Sequence, residues 1–176
     1  MILALVCIAP VAASYLAYYT WTPATTRNYG ELIPPTPIAE LGPAAAPAST
    51  LSPLRGKWVM VVVDGPDCQD ACREKLWQIR QLRLTQGKEM DRVARAWLVT
   101  GEGQPAADLL AEYAGTELLR DSDVPALAAA LAGRSPKDHI FVIDPLGNLM
   151  MQFPKDPDLS RVKKDLSLLL KVSQIG

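Results

Sequence analysis

The sequence feature that most constrains this chain is a strand, a Gly-Pro break and a helix, with two cysteines where the helix begins. Residues 59–63 read Val-Met-Val-Val-Val, a β-branched run typical of a buried strand. Gly65-Pro66 ends the run, and Cys68 and Cys72 follow. A thiol at a helix start faces unpaired backbone N–H groups and the positive end of the helix dipole, which favour the thiolate. The spacing therefore predicts a redox-active or metal-binding pair.

The two cysteines can serve chemistry or only structure. Residues four apart on a helix lie on one face, close enough to form a disulfide or to share a metal ion. Thiol–disulfide exchange or metal binding is the functional interpretation, and a structural disulfide or two unrelated buried cysteines is the alternative. Because Cys68 stands nearer the helix start, we expect it to be the more exposed sulfur and the nucleophile. We expect the flanking Asp64 and Asp67 to cap the loop.

Charge and motif content exclude several classes of function. The chain has 176 residues and a formal net charge of −1, so it lacks the basic field of a nucleic-acid binder. The sequence contains no nucleic-acid motif, Gly-rich phosphate loop or Ser/His/Asp arrangement. Its length fits one domain of modest core with additional segments. The candidate functional residues are therefore the three cysteines and the single histidine, His139.

The N-terminal stretch predicts a transmembrane helix. Residues 1–26 carry no charged side chain and residues 2–21 are predominantly apolar, which approaches the ~20 residues that a helix needs to cross a bilayer. Its far end is rich in aromatic residues, as at a membrane interface: Tyr15, Tyr18, Tyr19 and Trp21. We predict an anchor over residues 1–22, with a cleaved signal peptide or a buried core helix as alternatives. Cys7 lies in this stretch and receives no role.

A proline-rich stretch separates the anchor from the remainder of the chain. Residues 23–53 hold several prolines among Ala, Ser and Thr, a composition that predicts an extended, semi-rigid linker. Residues 29–35 are less uniform and can dock on the domain or on a partner, although a linker is the preferred interpretation. The folded domain is then predicted over residues 54–176.

Strands and helices alternate along the predicted domain. The predicted strands are 57–63, 92–100, 139–144 and 149–153, and the predicted helices are 68–86, 105–113, 123–131 and 158–172. This order indicates an α/β class with early parallel strands, right-handed crossovers and a terminal hairpin at the sheet edge. It matches a thioredoxin-like fold, with the cysteines at the carboxyl ends of the strands, where ligands bind in open α/β sheets. Together with the anchor, the predicted fold is thioredoxin-like with an N-terminal transmembrane helix.

With the cysteines placed, the chain resembles the Sco/SenC family of membrane-anchored, thioredoxin-like proteins. The likeness rests on the anchor and linker, on residues 54–59, on the Cys68-x-x-x-Cys72 spacing, on the 92–100 strand and on residues 138–147. The family usually has Pro beside its cysteines, a place where this chain has Gln69 and Arg73, and its histidine stands further upstream of the Pro-x-Gly turn than His139 does.

The resemblance implies copper bound by Cys68, Cys72 and His139. The alternative for His139 is an ordinary histidine at the start of a strand. The family serves assembly of the copper site of cytochrome c oxidase, by delivering copper, by reducing cysteines, or by both. The implied partner is the oxidase copper-site subunit or another thiol client, with no nucleic acid, and the oligomeric state stays open.

The resemblance also implies the location of the protein. It places the chain in the inner membrane as a single-pass protein with its domain in the periplasm. The charge rule alone places the domain in the cytoplasm, because Arg27 follows the predicted span and no Lys or Arg precedes it. Two rival functions stay open beside the oxidase factor: a general thiol–disulfide oxidoreductase without metal, and a non-catalytic interaction domain with a structural disulfide.

Overall fold

The computed structural model describes residues 2–20, 28–43 and 51–173. The strands are β1 (Glu31–Pro37), β2 (Trp58–Asp64), β3 (Val93–Val99), β4 (Glu117–Arg120), β5 (Ile140–Ile143) and β6 (Asn148–Gln152). The α-helices are α1 (Ile2–Thr20), α2 (Asp70–Leu84), α3 (Ala107–Glu112), α4 (Pro125–Leu131) and α5 (Leu159–Val172), and short 3₁₀ helices lie at Ser52–Leu54, Gly87–Arg92 and Pro136–Asp138.

Within the described residues, six strands form one sheet in the order β1-β6-β5-β2-β3-β4. β2, β3 and β4 run parallel, as expected for strands joined by helical crossovers. β5 is antiparallel to β2, β6 to β5 and β1 to β6. The carboxyl ends of β2 and β3 therefore lie at the same end of the sheet as the start of β5. We call this end the disulfide end, because Cys68 and Cys72 follow β2 there.

Alternate side chains of the central strand β2 enter two separate cores. Trp58, Met60 and Val62 pack on one face of the sheet, together with both site cysteines and with residues of α2 and α5. We call this cluster the first core. Val59, Val61 and Val63 pack on the other face, with residues of α4 and with buried residues between positions 33 and 54. We call this cluster the second core. A strand buried on both faces explains why residues 59–63 are continuously apolar rather than alternating.

The thioredoxin-like α/β arrangement predicted from the sequence is present. The predicted β2, β3, β5 and β6 and helices α2 to α5 are found, with ends that differ by a few residues. β4 was not predicted from the sequence, because its four residues, Glu-Leu-Leu-Arg, are too few to show the alternation of apolar and polar residues that indicates a strand.

The segment predicted as a linker is folded where the structure describes it. Glu31–Pro37 forms strand β1 at the sheet edge, paired with β6, and Ile33, Ile38 and Leu41 are buried in the second core. Proline is tolerated at an edge strand because one side of the strand needs no ladder hydrogen bonds. The proline-rich composition therefore concealed an edge strand. Residues 23–27 and 44–50 of the predicted linker lie outside the described residues.

Helix α1 presents apolar side chains to the surroundings. Val6, Ile8, Val11 and Leu16 are 57–66% exposed. In the described part of the chain, no helix combines the length and the apolar character needed to cross a membrane. Met1, Trp21 and Thr22 of the predicted anchor lie outside the described residues.

Candidate thiol–disulfide site

The turn after β2 brings the two cysteines together. Strand β2 ends at Asp64, two residues before Pro66, and the Cys68 N–H donates to the Gly65 carbonyl at 3.3 Å. Helix α2 then begins at Asp70, so Cys68 precedes the helix and Cys72 lies in its first turn. The Cys72 N–H donates to the Gln69 carbonyl at 2.8 Å. The strand–break–helix pattern therefore produces the local structure that it predicted.

Cys68 and Cys72 form a disulfide. Their Cα atoms are 5.1 Å apart and the S–S distance is 2.01 Å. Cys68 has a φ of +37°, a backbone conformation that costs a residue with a side chain roughly 1–2 kcal/mol. This conformation turns the chain from the end of β2 into α2 and places the first sulfur beside the second.

Both cysteines are buried. Cys68 is 2% exposed and Cys72 is 1% exposed, so exposure does not distinguish Cys68 as expected from the sequence. Both lie in the first core, in contact with an apolar layer that includes Leu76 and Ile79 of α2. Both cysteine residues therefore lie beneath the surface of the domain.

A charged network ties the loop before β5 to both elements that flank the disulfide. Lys75 Nζ on α2 donates to the Lys137 carbonyl. The Lys137 ammonium pairs with Asp64 Oδ1 at 3.4 Å, and the same carboxylate oxygen accepts from the Gly65 N–H at 2.8 Å. Lys137 is therefore held by α2 through its backbone and by the end of β2 through its side chain. Asp64 caps the turn, as predicted, and also anchors the facing loop.

Burial changes the proton affinity of Lys75. Its side chain lies in the core margin, with the residue only 8% exposed. Burial lowers the pKa of Lys75 from its ordinary value of 10.5, and the nearby carboxylates Asp64 and Asp138 oppose that shift. A partly desolvated cation therefore stands three residues after Cys72, on a neighbouring position of the helix surface.

A second ion pair lies beside this network, where a small cleft separates α2 from the loop before β5. Lys155 Nζ pairs with Asp138 Oδ1 at 3.1 Å. The hydrogen bond from Lys155 lowers the pKa of Asp138, and the same bond raises the pKa of Lys155. Both groups are exposed, so this pair adds little stability.

His139 does not join the cysteines. Its Nδ1 is 2.8 Å from the Phe153 carbonyl, and because a carbonyl only accepts, Nδ1 carries the proton. Its ring meets Phe141 edge-on, with the ring centroids 6.1 Å apart. Phe141 belongs to the second core, on the face of the sheet opposite to the disulfide. Alternation along the strand therefore directs the imidazole away from Cys68 and Cys72.

The donor set does not fit the predicted copper site. Among the described residues, no three His, Cys, Asp or Glu side chains are grouped to hold a metal ion. Cys68 and Cys72 offer two sulfurs that are joined to each other, and the imidazole of His139 faces the other core. The three predicted ligands are thus not assembled, because the spacing that places His139 next to β5 also fixes the face on which it projects. Cys7 lies in α1 as an exposed free cysteine.

Sequence reasoning did not single out Lys75 and Lys137. A signal for Lys75 was present: Cys72, Leu76 and Ile79 define the buried stripe of α2, and Lys75 adjoins that stripe at helical spacing. For Lys137 no local signal exists, because its two partners are 62 and 73 residues away in sequence.

Solved structures share this fold. The chain aligns with apo Sco1 from Thermus thermophilus at 19% identity and a TM-score of 0.54, covering 85% of this chain and 98% of that chain. Copper-bound yeast Sco1 aligns at 17% identity and a TM-score of 0.51, covering 68% and 82%. Copper-bound ScoI from Arabidopsis thaliana aligns at 12% identity and a TM-score of 0.53, covering 69% and 89%. At these identities the likeness shows a shared thioredoxin-like fold.

Sequence comparisons give the family. No curated protein matches the chain. The family described as "Transmembrane-like, thioredoxin-like, C-terminal domain" matches residues 58–173, which run from the start of β2 to just past α5 and include both site cysteines. The chain therefore belongs to the family of transmembrane-like, thioredoxin-like C-terminal domains.

Proposed function

We propose that this protein exchanges thiols and disulfides with a client protein through Cys68 and Cys72. The observation that carries the proposal is the disulfide between them, at the carboxyl end of β2 and the start of α2. Helix starts stabilise thiolates, and open α/β sheets bind ligands at this end. The charged network around Lys75 and Lys137 also supports the proposal. It fixes the loop before β5 against β2 and α2, the two elements that flank the disulfide.

The exchange is a two-electron reaction. The thiolate of reduced Cys68 attacks one sulfur of a client disulfide, which forms a mixed disulfide and releases one client thiolate. The Cys72 thiolate then attacks the Cys68 sulfur, which releases the second client thiolate and closes the Cys68–Cys72 disulfide. The client is reduced and the protein is oxidised. We assign the mixed disulfide with the client to Cys68, because Cys68 lies before the start of α2. The Cys72 backbone, in contrast, is hydrogen-bonded in the first turn of that helix.

Trapping the mixed disulfide tests this proposal. In a Cys7→Ser background, Cys72→Ser leaves Cys68 without a resolving thiol, so we expect a stable adduct when the folded protein meets glutathione disulfide. The matched variant Cys68→Ser should form this adduct much more slowly. Equal rates for the two variants would contradict the assignment of Cys68.

The burial of both cysteines favours a second candidate, a structural disulfide in an interaction domain. The two functions differ in reduction potential, since structural disulfides lie below about −300 mV. Equilibration of the full chain with glutathione buffers distinguishes them. A potential above that value with rapid exchange supports the redox function, whereas a disulfide that resists the buffers makes the domain an interaction module.

We further propose that α1 attaches the domain to a membrane, with the domain on the extracytoplasmic side. The supporting observation is that apolar side chains around α1 are exposed, since such a helix needs an apolar environment. Flotation with lipid vesicles tests the attachment. A reporter fused after Pro53 tests the side, because activity of an extracytoplasmic reporter is expected and cytoplasmic activity alone would overturn it.

The client proposed from the Sco resemblance is the copper-site subunit of cytochrome c oxidase. The fold likeness to Sco1 supports this choice. Cells that carry only the Cys68→Ser, Cys72→Ser variant should lose oxidase activity while the variant accumulates normally. Normal oxidase activity in these cells would direct the search to another thiol client.

Copper binding by the cysteines and His139 is a separate prediction that the histidine geometry opposes. Copper titration of the reduced chain, compared with His139→Ala, tests the ligand role. Because the imidazole faces the second core, we expect identical stoichiometry and absorption spectra in the two proteins. A spectrum altered by His139→Ala would show that reduction brings the imidazole to the sulfurs.

A further inference from the structure

The chain enters the folded domain through a fixed point, formed by Tyr29 and Gly30. Asp165 of α5 accepts from both backbone N–H groups through Oδ2, at 2.8 Å each. The Tyr29 hydroxyl accepts from the Asp158 N–H at 3.0 Å, and the Arg161 guanidinium lies 4.1 Å above the centre of the Tyr29 ring. We call these five residues the entry clamp.

The packing around Gly30 leaves no room for a side chain at this position. A Cβ atom at Gly30 would lie 2.6 Å from the Met151 sulfur and 2.9 Å from Cε1 of Phe153. Gly30 and Asp165 are both buried. The buried part of the clamp, Gly30 with the Asp165 carboxylate, therefore fixes the point at which the chain enters the domain, before the proline-rich segment rather than after it.

The entry clamp lies at the disulfide end of the sheet. Glu31, the first residue of β1, pairs with Gln152 at the end of β6. Gln152 pairs with Phe141 near the start of β5, and Phe141 pairs with Val61 at the middle of β2, so Tyr29 and Gly30, which precede Glu31, lie toward the disulfide end. Tyr29 also packs against the same core as both cysteines.

The tether that remains is short. Helix α1 ends at Thr20 and the described chain resumes at residue 28, so eight Cα-to-Cα steps separate them. A chain spans at most about 3.3–3.6 Å per residue, which gives a limit of roughly 28 Å. A domain attached through a linker that extended to residue 53 would be limited to roughly 110 Å by the same rule.

We infer that the entry clamp holds the disulfide end of the domain close to the membrane surface, so that its client is a thiol or disulfide near the bilayer. This inference rests on the proposed attachment of α1 to the membrane. It follows from the clamp position and the tether length together, since the point of attachment and the disulfide share one end of the sheet. Client sulfurs that stand far above the bilayer are out of reach of Cys68.

Energy transfer from labelled protein to acceptor lipids tests the inference. In the full-length Cys7→Ser protein, the disulfide protects Cys68 and Cys72 from the label. A label at Glu102→Cys marks the disulfide end, because the exposed 101–103 loop reaches Pro66. A label at Lys88→Cys marks the opposite end, in the exposed turn before β3. We expect at least twofold stronger transfer from position 102 than from position 88.

Lengthening the tether is the matched control. Twenty Gly/Ser residues inserted between Thr26 and Arg27 should reduce transfer from position 102 and narrow its difference from position 88. Equal or reversed transfer in the protein with the native tether would overturn the inference while leaving membrane attachment intact. Failure of the labelled protein to float with vesicles would overturn both attachment and this inference, and thiol exchange would stand on its own test.

Discussion

At the scale of single residues, Gly30 shows how closely β1 is packed against the hairpin. The Met151 and Phe153 side chains occupy the space where a Cβ would stand, and both are fully buried. Replacing Gly30 with alanine therefore forces these side chains, or the β1 backbone, to move.

We expect Gly30→Ala to destabilise the domain by about 1–3 kcal/mol, the usual cost of overpacking a core. Urea unfolding followed by tryptophan fluorescence measures this change. Gly42→Ala is the matched control, because its nearest neighbour would stand 3.7 Å away. Equal unfolding midpoints for the two variants would show that β1 adjusts at no cost.

Lys75 predicts a dependence of stability on pH. Because burial lowers the pKa of Lys75 in the folded state, the unfolded chain binds more protons between that pKa and 10.5. Stability contributed by this residue therefore rises as the pH increases through that window. The free energy of unfolding of the wild type should increase, relative to Lys75→Met, between neutral pH and about pH 10.5.

Lys137→Met is the comparison for that experiment, since the Lys137 ammonium is largely exposed. This variant removes the ion pair with Asp64 and so measures how much that ion pair contributes to stability. Parallel curves for wild type and Lys75→Met would show that Lys75 has the same pKa in the folded and unfolded states.

Residues of the candidate site differ in how far sequence predicted them. Cys68 and Cys72 were predictable because the strand, the break and the helix start are all local. The face of His139 was not, because it depends on the register at which β5 begins, and a shift of one residue reverses every side chain.

At the scale of elements, β1 is the part of the fold that composition concealed. Three of its seven residues are proline, and proline is depleted in strands. Its place depends on contacts remote in sequence, since Asp165 lies 135 residues from Gly30. Elements whose buried apolar residues form a recognisable pattern in the local sequence, such as β2 and α2, were predictable. An edge strand held by residues distant in sequence was not.

Removing the Asp165 carboxylate should release β1. Asp165→Ala leaves the N–H groups of Tyr29 and Gly30 without a partner, and hydrogen bonds to charged groups contribute about 1.5–3 kcal/mol each. We expect amide exchange in Glu31–Pro37 to accelerate by one to three orders of magnitude, while β2 and β3 stay protected. Hydrogen exchange with mass spectrometry measures this.

Lys164→Ala, at an exposed neighbouring position of α5, is the control for that variant and should leave exchange in β1 unchanged. Uniformly faster exchange in all strands would show that β1 and the sheet unfold together. In that case the entry clamp would act on global stability rather than on the position of the tether alone.

At the scale of the whole molecule, the question is whether the domain stays folded when its disulfide is opened, as thiol exchange requires. The two cores lie on both faces of the sheet, and the disulfide joins residues only four apart. Closing so short a loop removes little entropy from the unfolded chain, which corresponds to roughly 2 kcal/mol. Domains of this size have about 5–15 kcal/mol of stability, so the reduced form should remain folded.

We therefore expect reduction to lower the free energy of unfolding by about 2 kcal/mol while unfolding stays cooperative. Urea unfolding of the full chain in mild detergent, with and without reductant, measures the difference. Cys7→Ser is the control and should show the same difference, because Cys7 is outside the disulfide. Loss of cooperative unfolding on reduction would make the disulfide a structural requirement. The first core, in which both sulfurs are buried, would then depend on a bond that a thiol-exchanging protein must open in every cycle, and this result would contradict the proposed exchange.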